Sequence, residues 1–218
     1  MVLSKLIITF AHRKQTITIM ITEYYTEKEL VQEIEKACAK FEEMKNGWFG
    51  KKLIKVFKVH KQGGTLFQTM TLNKQVYHIE IIWGEKSHKD YGFGYCIKTE
   101  YETKKGKLLV SFENGSKNIL IHTPHFRKRV KERNTDKYCN INDIISTKYV
   151  RNGREYELFN YSEKDVLVTR RGKSEKRIIW LITALTRDMC TNKNYTELLS
   201  RLDNHIENFD DYSVFNWR

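Results

Sequence analysis

The feature that most limits how this chain can fold is a change of hydrophobic period close to residue 50. Between Thr26 and Asn46, apolar residues recur at Leu30, Val31, Ile34, Ala37, Cys38, Phe41 and Met44. That spacing lays one stripe along a helix, while Glu33, Lys36, Lys40 and Glu43 fall largely outside it. Thr26 and Glu29 form a capping box, each side chain able to satisfy an orphan amide of the first turn. Asn46-Gly47 is an expected C-terminal signal. From Lys52 to Thr123 the apolar residues (Ile54, Phe57, Leu66, Met70, Val76, Ile79, Ile81, Leu108, Val110, Ile119) instead sit in short β-rich runs. The runs are broken at Gln62-Gly63-Gly64, at Leu72-Asn73-Lys74, from Gly84 to Gly94, from Lys104 to Gly106, and at Asn114-Gly115. Five strands joined by short turns predict an antiparallel meander, whose longest interruption, from Glu85 to Gly94, is the segment expected to move.

Two further β-rich runs, residues 3–10 and 15–22, precede the long helix. After the meander, Thr123 as N-cap and Pro124 at the first helical position open a second helix, reaching about Asn134. Asn140-Ile141-Asn142-Asp143-Ile144-Ile145 begins a short helix that should end before Gly153. Strands are predicted at 155–161, 166–170 and 176–185. A final amphipathic helix carries Tyr195, Leu198, Leu199, Leu202, Ile206 and Phe209. The class is α+β: an antiparallel meander with a long N-terminal helix, then a helix-plus-three-strand unit and a last helix. The pattern divides into an N-terminal part, residues 1–120, and a C-terminal part, residues 121–218, whose strands could join one sheet.

Charge narrows the partners. The chain has 39 Lys and Arg against 27 Asp and Glu, a net charge of +12. Such an excess sets up a field that attracts polyanions, so nucleic acid is the expected partner, RNA rather than DNA, with a protein partner or antitoxin as a further candidate. Abundant Lys, Asn, Ile and Tyr would equally follow from a biased genome composition. Cys38, Cys96, Cys139 and Cys190 lie far apart with no CxxC pair, which reads as reduced thiols rather than a disulfide framework or zinc finger. The start, MVLSKLIITFAHRK, has too short an apolar stretch for a signal peptide, and no run approaches the ~18 residues of a membrane span. A cytoplasmic location away from membranes, with no cofactor, is therefore the expectation.

One segment could carry chemistry. In Ile121-His122-Thr123-Pro124-His125-Phe126-Arg127-Lys128-Arg129-Val130-Lys131-Glu132-Arg133, residues His125, Arg129 and Arg133 stand at i, i+4 and i+8 and share a helix face. Phe126 and Val130 share the neighbouring face and would anchor it. A helix start also favours phosphate through its free amides. Metal-independent RNA cleavage needs a base for the 2′-hydroxyl proton, cations for the phosphorane and an acid for the leaving oxygen. Histidine suits the proton steps, its ordinary pKa being about 6.5. The plainer alternative is a basic solvated helix, with His125 capping or packing. Arg127 and Lys128 on the helix, and Arg170, Arg171, Lys173, Lys176 and Arg177 on the strand-to-strand turn, are the candidate phosphate contacts.

The C-terminal hundred residues resemble the small RelE/BrnT-like toxin ribonucleases of the barnase–EndoU–colicin–RelE group. The resemblance rests on the H-x-x-x-R-x-x-x-R helix, the NINDIIS segment, the Asn152-Gly153 turn and the strands ending in RIIWLITAL. It implies helices packed on a small antiparallel sheet and RNA cleavage without metal, with His125 and Arg129 near the active face and Arg133 less closely tied to it. The first 120 residues lie outside it and suggest an extra module.

Rival patterns are weaker. His122, His125 and His78 offer too few convergent groups for a metal. Tyr77, Trp83, Tyr91, Phe93 and Tyr95 beside Lys86 and Lys89 could stack bases, but their alternation favours sheet packing. Walker, GxSxG, GxGxxG and HExxH patterns are missing. The reading is a basic nucleic-acid-interacting protein, either a metal-independent ribonuclease (a toxin or defence effector) or a non-catalytic binding or inhibitor protein of a phage or mobile element.

Overall fold

The computed structural model describes residues 25–204 apart from 91, 134–145 and 163. The two N-terminal strand expectations, Cys139, Tyr91, the NINDII segment, Ile206 and Phe209 lie outside the described residues.

Helix α1 (Glu27–Asn46) starts at the expected capping box: Thr26 accepts from the Glu29 amide at 3.2 Å, and its own amide donates to the Glu29 carboxylate at 2.6 Å. It ends at Gly47, as its Asn-Gly signal implies. Helix α2 (Trp48–Val59) then begins at once. Ile54 and Phe57 are therefore helical, which corrects the strand expected from Lys52. The β-branched and aromatic residues of KLIKVFKV imitate a strand in composition, but Phe49, Leu53 and Phe57 recur every four residues and are the buried large side chains. Gly50 permits the sharp corner. A Cβ there would collide with the Lys45 carbonyl oxygen.

The strands are β1 (Gly63–Leu72), β2 (Gln75–Gly84), β3 (Gly94–Tyr101), β4 (Leu108–Glu113) and β5 (Ile119–His122), the meander the turn signals predict. The long interruption holds a helical turn, α3 (Glu85–Asp90). Helix α4 (Pro124–Arg133) follows, with the Thr123 hydroxyl accepting from the Phe126 amide at 3.1 Å, so Thr123 caps it as expected. Next come β6 (Ser146–Arg151), β7 (Arg154–Asn160), β8 (Asp165–Arg171), β9 (Ile178–Thr186) and helix α5 (Lys193–Asp203). Strand β6 replaces the tail of the expected short helix, so the C-terminal unit has four strands. Its hairpin with β7 turns at Asn152 and Gly153, both at positive φ (51° and 68°), a backbone that Asn-Gly tolerates.

The nine strands among the described residues form one sheet, ordered β1-β2-β3-β4-β5-β9-β8-β7-β6, in which β5 and β9 are the one parallel pair described. On one face, α1 and α2 cover Tyr77, Ile79, Ile81, Ile97 and Val110 in a core that reaches Ile178 of β9. Helix α5 closes a second core over Tyr149, Leu158, Val166 and Val168, through Leu198 and Leu202. Alternation along β9, shifted by one residue at a bulge between Leu181 and Thr183, sends Ile179, Leu181 and Ala184 to the opposite face, where Phe126 of α4 covers them. Tyr77, Trp83 and Tyr95 are core residues, the packing their alternation favoured.

Candidate nucleic-acid interface

Helix α4 stands at the C-terminal end of β5 and β9. The Thr123 hydroxyl donates to the Leu181 carbonyl at 2.8 Å, and the Arg133 guanidinium donates to the Ala184 carbonyl. His125 is exposed on the first turn. Arg129, one turn on, donates to Glu132 at 2.8 Å, and Lys128 lies 3.6 Å from the same carboxylate. Arg127 pairs with Glu100 of β3 at 2.9 Å. Thus His125 and Arg129 share the outward face that their spacing predicts, whereas Arg133 is turned onto the sheet backbone.

The second expected cluster is elsewhere. The β8–β9 turn sits at the start of β9, where the Gly172 amide donates to the Ile178 carbonyl. From Ile178 to Ala184 the strand extends about 20 Å, so the turn and the Arg133 contact lie towards opposite ends of β9. Its arginines are built into the fold. Arg171 bonds Glu157 at 3.1 Å and Asn118 at 3.0 Å, and Arg177 bonds Glu35 at 2.6 Å. Arg170 is half-buried and its Nε has no hydrogen-bond partner. Lys173 and Lys176 remain exposed.

His122 is the buried member of the histidine set. Its Nε2 lies 2.9 Å from the Ser111 hydroxyl and its ring stands edge-on to Phe126. Burial, reinforced by Arg127 and Lys98, pushes its pKa down to about 4. His78 is three strands away on β2, about 14 Å across the sheet, so the three histidines do not converge. No group of three His, Cys, Asp or Glu side chains suited to a metal occurs among the described residues. Burial also raises the thiols of Cys38 and Cys96 to about 11, which leaves them poor nucleophiles at neutral pH.

The basic surface that the sequence reading missed is α2. Its buried stripe faces the sheet, and Trp48, Lys51, Lys52, Lys55, Lys58 and Val59 face outward, all exposed. In α1 three of the four lysines are answered within the helix: Lys36 by Glu33, Lys40 by Glu43 and Lys45 by Glu42. Helix α2 contains no carboxylate. The signal was present in the spacing of Lys51, Lys55 and Lys58, which the β-branched Ile54 and Val56 between them concealed. No described helix is long and apolar enough to cross a membrane. Comparison of the chain with protein-family models, with curated proteins and with solved structures finds no match.

Proposed function

We propose that this chain binds nucleic acid through the outward face of α2, with the outward face of α4, on the other side of the sheet, as a separate basic patch. The observation that carries the reading is α2, where four of twelve residues are lysines on one exposed face and none is acidic. On the other side of the sheet, helix α4 presents His125, Lys128 and Lys131, with Glu132 as its one carboxylate. A surface of this kind holds a polyanion by displacing its condensed counterions, which needs no shaped pocket. If four phosphates are neutralised, affinity falls about a hundredfold or somewhat less between about 50 and 200 mM salt.

The RelE-like ribonuclease is the second reading, favoured by the exposure of His125 with Arg129 one turn away. Against it, Arg133 is committed to Ala184 and Arg129 to Glu132, leaving fewer groups to stabilise a phosphorane. The test is incubation of the protein, and of His125→Ala, with total RNA and single-stranded DNA in EDTA. Nucleic acid retarded on a gel but intact is the expected result. Cleavage by the unmodified protein alone would replace binding with catalysis at His125. Absence of both retardation and cleavage would overturn the nucleic-acid reading.

A further inference from the structure

We infer that the corner between α1 and α2 is a binding site for single-stranded nucleic acid, in which Trp48 stacks on an unpaired base and Lys51, Lys52 and Lys55 hold the adjoining phosphates. The inference rests on the nucleic-acid reading and names the form of polymer that this surface takes.

Three observations converge on the corner. Trp48 is 76% exposed, the most exposed of the large hydrophobic side chains at the described surface, although burying an indole is among the larger gains open to a fold. The Lys52 ammonium lies 5.7 Å from its ring centroid, so the aromatic face is already flanked by a cation. On the side of α2 opposite Trp48, between the end of α1, the start of α2 and the chain before β3, is a cleft of about 300 Å³. Leu53, Phe57 and Phe93 form its apolar floor, and Lys45 and Asn46 stand at its polar rim. Lys45 lies 5.6 Å from the Phe93 ring centroid, a second lysine–aromatic pair at the same corner.

A ring with a free π-face beside lysines is the arrangement that holds unpaired bases, because every base can stack and every nucleotide brings a phosphate. A duplex hides its base faces and would use only the lysines. From Lys51 to Lys58 the helix rises about 10 Å, the length of about three phosphates along one stacked strand. An anionic membrane is the other polyanion that a basic helix attracts, but it needs an apolar face to insert. Here that face, Phe49, Leu53 and Phe57, is sealed in the core. The exposed apolar residues Trp48 and Val59 stand at opposite ends of α2, about 16 Å apart.

The test compares fluorescein-labelled oligothymidylate of about 20 nucleotides, a duplex of equal length and vesicles of phosphatidylcholine and phosphatidylserine. The proteins are the unmodified chain, Trp48→Ala, Trp48→Phe and the triple variant Lys51→Ala/Lys52→Ala/Lys55→Ala. Exposure of all four side chains leaves folding unaffected, which circular dichroism checks. Trp48→Ala should weaken single-strand binding by about tenfold and leave duplex binding within about twofold, while Trp48→Phe restores most of the loss. The triple variant should weaken both polymers and reduce the salt slope by about 2. Unchanged single-strand affinity in Trp48→Ala, with the triple variant still impaired, would overturn the stacking site and leave general nucleic-acid binding standing. Failure of every protein to bind either polymer would overturn both, and capture by vesicles alone would assign the surface to lipid.

Discussion

The carboxylate of Glu27, the first residue of α1, accepts the indole Nε1–H of Trp180 in β9 at 3.0 Å. Its other oxygen accepts from the amide and hydroxyl of Ser174 at 2.9 and 3.0 Å and from the Glu175 amide at 3.3 Å. One side chain at a helix start thereby fixes a turn almost 150 residues further along the chain, and the negative charge also suits the positive end of α1. Burial opposes that charge, but the bonds from Ser174, Trp180 and Glu175 outweigh it and hold the carboxyl below its ordinary range. Its stabilising effect is complete above the unfolded pKa and is lost as pH falls through the lower folded one.

Replacing Glu27 by Ala leaves these donors without an acceptor at an intermediate depth. The expected loss is about 1–3 kcal/mol, the range for leaving buried donors without an acceptor. Glu27→Gln, which keeps one carbonyl oxygen, should lose less. Urea denaturation at neutral pH measures both, and an unchanged midpoint in Glu27→Ala would show that the turn is held by other contacts.

Gly50→Ala tests the corner that orients α2. On helix propensity alone, alanine should stabilise an interior position by about 1 kcal/mol. The added Cβ, however, would overlap the Lys45 carbonyl, which belongs to backbone and cannot rotate away. The variant should therefore be less stable, against the propensity trend, and its lower melting temperature by calorimetry is the readout. A stabilised variant would mean that the two helices separate easily.

Arg133→Ala separates scaffold from site on α4. The guanidinium satisfies a carbonyl of β9, so its removal should cost about 1–3 kcal/mol and lower the melting temperature by several degrees. His125→Ala, at an exposed position, should leave the melting temperature unchanged. Similar losses for the two variants would contradict the roles that the geometry gives them.

The long helix, the meander and the last helix were legible because each has a local signature: a capping box at Thr26 and Glu29, Gly- or Asn-containing turns, and a stripe through Leu198 and Leu202. The errors share a cause. In α2, Ile54, Val56 and Val59 give a strand-like composition, while the period of Phe49, Leu53 and Phe57 is helical. In β6, an upstream Asn-rich segment suggests a helix start, although Thr147 and Tyr149 alternate inward as in a strand. The site was less legible than the fold. Spacing placed His125 and Arg129 on one face, but no local pattern shows that Arg133 meets Ala184, or that Arg171 and Arg177 meet Glu157 and Glu35, since those partners are distant in sequence.

His122 should make the fold acid-sensitive in a defined window. Its ring is neutral in the native protein down to about pH 4, held there first by burial and then by Arg127 and Lys98. In the unfolded chain an ordinary histidine takes up its proton near pH 6.5. Between those values the unfolded state binds a proton that the native state does not, so stability falls as the pH is lowered from about 6.5 to about 4, by roughly 3 kcal/mol in all, and the contribution levels off below. Glu80 and Lys98, paired at 2.6 Å on the same sheet face, and Arg127 with Glu100 are the charged groups near it. His122→Gln keeps a partner for the Ser111 hydroxyl but cannot titrate. Urea unfolding at a series of pH values should therefore show a steep slope for the unmodified protein over this window and a shallower one for the variant. Equal slopes would mean that the carboxylates, Glu27 among them, account for the acid response without His122.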